Sequence, residues 1–243
     1  AEATMSGGSA AHAAAYDPAL EWRTLQTEHF EITFHQGEEQ LANELGTNAE
    51  GIWTELTADM DWVPKAKTQI VLVDHTDMAN GYASTVPYNA IVIFVTAPQE
   101  SSGLAYYDDW STMILTHEFA HILHLDNVQG APALLRYALG RIISVNQLSP
   151  WWIVEGSATY QETRHTGAGR GHLVNPHSEM QIRTAWLEGD FPTIDQMDGF
   201  MSGPPGGNTR YVFGQSFLAW VADHTSDDAI TRWNSSYGGW WFP

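Results

Sequence analysis

The chain has no cysteine, which excludes disulfides and thiolate metal sites and fits an exported bacterial protein as well as a cytosolic one. Basic side chains are scarce: 10 Lys and Arg face 29 Asp and Glu, a formal charge of −19. A nucleic acid would be repelled by that field, and no Lys/Arg cluster offsets it locally, so nucleic-acid binding is excluded. Cationic substrates and divalent metal ions would be favoured, although a solubilising acidic surface is the simpler reading. There is no apolar run of about 18 residues, so no transmembrane segment is expected. The opening "AEATMSGGSAAHAAA" lacks a charged start and an apolar stretch and is not an intact signal peptide. It reads as a processed or cloning-derived terminus, and residues 1–20 are expected to be disordered.

What is present is ample apolar material. With 243 residues, 43% of them hydrophobic and 11 of them tryptophan, the chain can bury the core of one large domain or two small ones. "EHFEITFH" (28–35) alternates and reads as a strand, as do "TQIVLVDH" (68–75) and "NAIVIFVTAP" (89–98), the last preceded by the turn-rich "DMANGYASTVPY". Between the first two, residues 37–60 have helical spacing interrupted or weakened by Gly46 and Gly51. Helices are expected from there on: 108–126, 131–144, 149–163, 177–190 and 210–224, with a glycine-rich loop at 165–176 and another loop at "GPPGGN". Strands first and helices after indicate an α+β fold, sheet-rich over 25–98 and helical over 108–225. No internal repeat is visible. The aromatic end "RWNSSYGGWWFP" suggests a chain cut from something longer.

The segment "THEFAHILHLD" (116–126) carries the chemistry. On a helix, His117 and His121 share a face and aim two imidazoles at one point, while Glu118, about 100° around, reaches a water on the metal without ligating the ion itself. This is the His-Glu-x-x-His arrangement of zinc hydrolysis, with the glutamate as general base. A chance match on a helix with two partnered histidines is the competing reading. The apolar neighbours Met113, Ile114, Phe119, Ile122 and Leu123 make unpartnered histidines costly there.

A catalytic zinc needs a third protein ligand. A histidine six residues past the second is ruled out, because Asn127 stands there. His124 would crowd the pair. Asp126 is awkward as a ligand, though it could hydrogen-bond a ligand histidine. Glu155 in "WWIVEGSATY" fits better: it lies on a separate helix that can cross the first, its neighbours Trp151, Trp152, Ile153 and Val154 argue against free solvation, and Gly156 permits close approach. A solvated helix glutamate is the alternative. Glu162, seven residues on, either orients a ligand histidine or is solvated. His165, His172 and His177 read as exposed loop histidines. Asp74 and Asp77 lack calcium-loop spacing, and Ser157 has no nearby His/Asp partnership.

"HEFAH" followed by "WWIVEGSATY" resembles the gluzincin zinc metallopeptidases, the thermolysin-like and aminopeptidase-like superfamily. The resemblance implies a zincin-like fold, a mixed sheet followed by a helical half. It also implies one Zn2+ held by His117, His121 and Glu155, with Glu118 as base. It extends to "RYVFGQSF", where Tyr211 matches the tyrosine that stabilises the tetrahedral intermediate in the aminopeptidase branch, with Gly214 three residues on. A core tyrosine at a helix start is the other reading. More loosely, residues 25–225 resemble exported bacterial proteins in which such a domain precedes a β-propeller. That implies a metallopeptidase domain over 21–243 of a longer secreted or periplasmic chain with a missing C-terminal domain. The aminopeptidase branch has a Gly-x-Met-Glu-Asn strand before the zinc helix. "NAIVIFVTAP", matched to it here, offers no glutamate. An endopeptidase acting on extended peptide or protein substrates is therefore expected over an aminopeptidase. A module that binds metal or peptide without turnover is the alternative.

Overall fold

The computed structural model describes residues 17–100, 102, 104–142, 144–199, 203 and 206–239. The N-terminal stretch up to residue 16 and the aromatic end 240–243, both singled out in the sequence, lie outside them.

The first half is a five-stranded mixed sheet of order β1-β2-β3-β5-β4. β2 (Phe30–His35) alternates Phe30, Ile32 and Phe34 into the core and polar residues away from it, as a period of two dictates. It pairs in parallel with β3 (Thr68–Val73), which pairs in parallel with β5 (Ala90–Phe94). The edges are antiparallel: β1 (Trp22–Gln26) beside β2, and β4 (Gly81–Ser84) beside β5. Neither edge strand was expected. β1 is almost wholly exposed and shows no apolar alternation, and β4 is four residues long inside a segment rich in turn formers. α1 (Glu39–Asp59) runs unbroken. Gly46 is buried where a Cβ would come within 2.9 Å of Leu25 Cδ2, so this glycine marks a close approach to the sheet, not a break.

α2 (Trp110–Asp126) follows, its start capped by Asp109, whose side chain accepts from the Ser111 and Thr112 amides. It is buried on every face, as an all-round apolar helix must be. Phe119 meets Phe30 of the sheet edge-on, ring centroids 5.2 Å apart. α3 (Gly130–Leu139) ends earlier than expected, because Gly140 takes up φ 81°, which stops the helix. α4 (Trp151–His165), α5 (Pro176–Glu188), α6 (Ile194–Asp198), α7 (Thr209–His224) and α8 (Ala229–Tyr237) complete the helical half; α8 includes the first part of the "RWNSSYGGWWFP" segment, where no helix was expected. Among the described residues no helix is long and apolar enough to cross a membrane.

There are two apolar cores. One joins the sheet to α1 and α2, and the other joins α4, α6, α7 and α8 through Trp152, Met197, Phe213, Leu218 and Ile230. α4 serves both, with Ala158 in the first and Trp152 in the second. Gly156, expected to bring α4 close to the histidine helix, instead faces α7: a Cβ on it would lie 2.7 Å from the Gly214 carbonyl carbon, and one on Gly214 would lie 2.5 Å from the Trp152 oxygen. Two glycines thus let the backbones of α4 and α7 touch.

Gly214→Ala should therefore force the helices apart and lower stability by about 1–3 kcal/mol, as overpacking does. Gly51→Ala, where nothing lies within 4 Å, should raise stability by about 0.5–1 kcal/mol, since glycine disfavours a helix interior. Urea unfolding of the two variants beside the parent checks both signs.

Candidate metal centre

α2 carries His117 and His121 one turn apart, their rings edge to face at 4.7 Å. The two Nε2 atoms face each other at 3.1 Å. From α4, Glu155 Oε2 comes within 3.4 Å of His117 Nε2 and 3.2 Å of His121 Nε2. Ligand bonds of about 2.0–2.1 Å in a tetrahedron set neighbouring donors about 3.3 Å apart, so the observed spacing is that of three corners of a zinc tetrahedron. All three side chains are largely buried. The donor set fits the ion.

The outer side of the His117 ring is also occupied. Nδ1 lies 2.8 Å from Glu162 Oε2, a carboxylate with no solvent exposure. A Nδ1–H donated to Glu162 leaves the Nε2 lone pair for a cation and fixes the ring plane. Asp126, the other candidate for orienting a ligand histidine, is turned away from both. It accepts from Trp62 Nε1 at 3.1 Å and pairs with Arg136 and Arg141, because it ends α2 where α3 and its following loop supply two guanidiniums. His121 Nδ1 has no hydrogen-bond partner among the described residues.

The charges reinforce one another. Burial and the Arg170 charge pull His117 down, but the hydrogen bonds it donates to Glu155 and Glu162 outweigh them and push its pKa up to about 9. Burial works against the Glu155 carboxylate too, yet His121 and His117 hold it well below the usual range. Each shift reports that the trio favours a positive charge among its members. Burial raises the Glu118 carboxyl more than the neighbouring imidazoles lower it, which moves it towards the range useful for proton transfer near neutral pH. His124 is held down to about 3 by burial and by His121, and stands outside the trio.

His117, Glu118, His121 and Glu155 line a cleft of about 420 Å³ that also takes in Tyr211, Trp151, Asn80 and residues 81–83 of the β4 edge. The strand facing the centre is thus β4, not the "NAIVIFVTAP" strand compared in the sequence. Gly81 makes room for the carboxylate there: a Cβ on it would lie 3.1 Å from Glu118 Cγ. Tyr211 begins α7 with its ring 6.4 Å from that of His117, and burial followed by the Glu155 charge pushes its phenol up, keeping it a protonated donor.

Arg170 was missed in the sequence. It sits on the glycine-rich loop, lines the cleft, pairs with Glu162 at 2.9 Å and lies 4.5 Å from the Tyr211 ring centroid. Its available signal was an arginine set between Gly169 and Gly171 in a chain poor in cations. The remaining histidines of that region do not gather: His165 pairs with Glu55 and Asp59, His172 meets Ser216 and Gln215, and His177 meets Gln181. Asp74 lies near His35 and Glu38, none of which lines the cleft.

No protein-family model matches the chain, and no curated protein matches it. Among solved structures, an aminopeptidase N family protein from Idiomarina loihiensis is similar at 12% identity and a TM-score of 0.42, over 90% of this chain and 40% of that one. The chain therefore spans less than half the length of that protein.

Glu162 offers a direct check on the electrostatics. Burial alone would raise its carboxyl, but Arg170 and His117 hold it at about 2. A depressed pKa contributes stability that is complete above the unfolded value of 4.5 and is lost as pH falls through about 2. Glu162→Gln, which strands a buried guanidinium, should cost about 3–5 kcal/mol at pH 5. The gap to the parent should close towards pH 2, as read from denaturant midpoints at a series of pH values.

Proposed function

We propose that the chain is a zinc-dependent peptidase of the gluzincin kind, with His117, His121 and Glu155 as ligands, Glu118 as general base and Tyr211 as oxyanion donor. The observation that carries the reading is the set of three donor spacings between 3.1 and 3.4 Å, with a buried glutamate and a phenol on the same cleft. Zinc bound there supplies Lewis acidity, polarising a peptide carbonyl and acidifying water. Glu118 takes the proton of the attacking water and delivers it to the departing amine, for which its raised pKa suits it in both directions. Tyr211, kept neutral, donates to the carbonyl oxygen as negative charge builds on it. Glu162 holds His117 by its far nitrogen throughout. On this reading the mixed sheet and helices form one zincin-like metallopeptidase domain over 21–243.

An internal peptide bond is the preferred target. The cleft-lining residues include two carboxylates, Glu118 and Glu155, and both have work assigned to them. β4 reads Gly81-Tyr82-Ala83-Ser84 and brings no acidic anchor for a free amine. As an edge strand paired only on its β5 side among the strands, it can instead align an extended substrate by backbone hydrogen bonds.

Hydrolysis of an unfolded, fluorescently labelled protein tests the reading. The parent should cleave it at internal bonds, lose activity to a zinc chelator and regain it with added Zn2+. Glu118→Gln should lower kcat about 10²–10⁴-fold while still binding the ion. Equal rates for Glu118→Gln and the parent would remove the mechanism, and metal binding without any hydrolysis would leave a binding module.

A further inference from the structure

The loop after α4 is built to deliver one side chain. Gly169 takes up φ 112°, and a Cβ on it would lie 2.9 Å from Glu162 Cγ; one on Gly171 would collide with the Thr163 side chain. Without side chains at these places the loop lies flat against the last turn of α4. Arg170 can then wrap Glu162. Its backbone N–H donates to Oε1 at 2.7 Å, Nε to Oε1 at 3.2 Å and Nη2 to Oε2 at 2.9 Å. With His117 Nδ1 on Oε2, four donors fill the acceptor capacity of one carboxylate.

Arg170 Nη2 also lies 2.8 Å from His117 Nδ1. The same Nη2 lies 3.3 Å from His117 Nε2, so the guanidinium also touches the imidazole that Glu162 holds. The guanidinium also meets Tyr211, its Cζ 4.5 Å from the ring centroid, within the range of a cation–π contact. The guanidinium is thus held between a carboxylate and a phenol ring. Its charge is already matched by Glu162, and its side chain is 12% exposed, which disfavours a role as receptor for a substrate carboxylate.

We propose that Arg170 is a positioning residue that sets the Tyr211 ring for its hydrogen bond to the oxyanion and, through Glu162, the His117 ring for the metal. This deepens the peptidase reading and rests on it for the Tyr211 half. Arginine suits the task because its planar fork satisfies two carboxylate oxygens while leaving a flat face for an aromatic ring, which lysine cannot do.

A double-mutant cycle separates action through Tyr211 from independent action. The zinc-loaded parent, Arg170→Met, Tyr211→Phe and the double variant are compared for kcat and KM on one internally quenched peptide. Zinc affinity is measured for each by competition with a chromogenic chelator. Arg170→Met should lower kcat about 10–100-fold with KM changed less than about threefold, the pattern of a lost transition-state interaction. On the Tyr211→Phe background it should cost less than about threefold more. Zinc affinity should fall about tenfold on both backgrounds, as when a group behind a ligand is removed. Arg170→Lys, which keeps the buried charge should the methionine variant not fold, should give a kcat between those of the parent and Arg170→Met.

Losses that multiply across the cycle, a raised KM at constant kcat, or parental kcat in both Arg170 variants would each overturn the proposal. If the parent itself does not hydrolyse, the peptidase reading falls and the zinc competition decides alone. A tenfold weakening then upholds the link from Arg170 to His117, and parental affinity overturns it.

Discussion

Two imidazoles and a carboxylate driven into apolar surroundings are compatible only if a positive charge sits among them, whether protons or a metal ion. The arrangement of the helices follows from that requirement. α2 must be backed by the sheet on one side so that it can turn its histidines to the other, and α4 must cross it closely enough for Glu155 to reach both Nε2 atoms. α7 is then set by the Gly156–Gly214 contact, which brings Tyr211 into the same cleft. One electrostatic demand and one pair of missing side chains thus account for where three helices lie.

The charge balance at the centre is nearly closed. Glu118, Glu155 and Glu162 bring three carboxylates, and Arg170 returns one positive charge. The negative charge that remains favours a cation between the histidines. The strongly acidic exterior adds a long-range field of the same sign, which raises the local concentration of cations without contributing to selectivity. Selection among ions falls to the donor set, and nitrogen–nitrogen–oxygen donors at tetrahedral spacing suit zinc better than the hard oxygen-seeking ions.

Much of this was legible in the sequence because helical spacing is a geometric statement. Residues four apart share a face, so His117 and His121 had to meet if the helix formed, and the apolar setting of Glu155 already argued against free solvent. The sheet-then-helix order was equally readable from the switch in apolar period. What escaped had no periodic signal. β4 is too short to alternate and contains a glycine, so it passed for a turn. β1 is mostly exposed, and its one packed side chain, Leu25, makes no alternation. Arg170 reaches the centre through a folded loop, and no spacing in the chain relates it to His117. Asp126 misled for the opposite reason: proximity in sequence to the histidines placed it at the helix end, where two arginines claim it.

Glu155 and Glu162 grip opposite nitrogens of the same imidazole from a single helix. Seven residues make almost two whole turns, so the two carboxylates differ by only about 20° in azimuth and are offset by about 10.5 Å along the axis. The helix works as a caliper whose jaws are fixed by chain length. Loops elsewhere tolerate added or lost residues, but one deletion inside this interval rotates a jaw by about 100° and opens the grip. The interval between the two glutamates is therefore the stretch of the chain whose length, more than its composition, must be inherited unchanged.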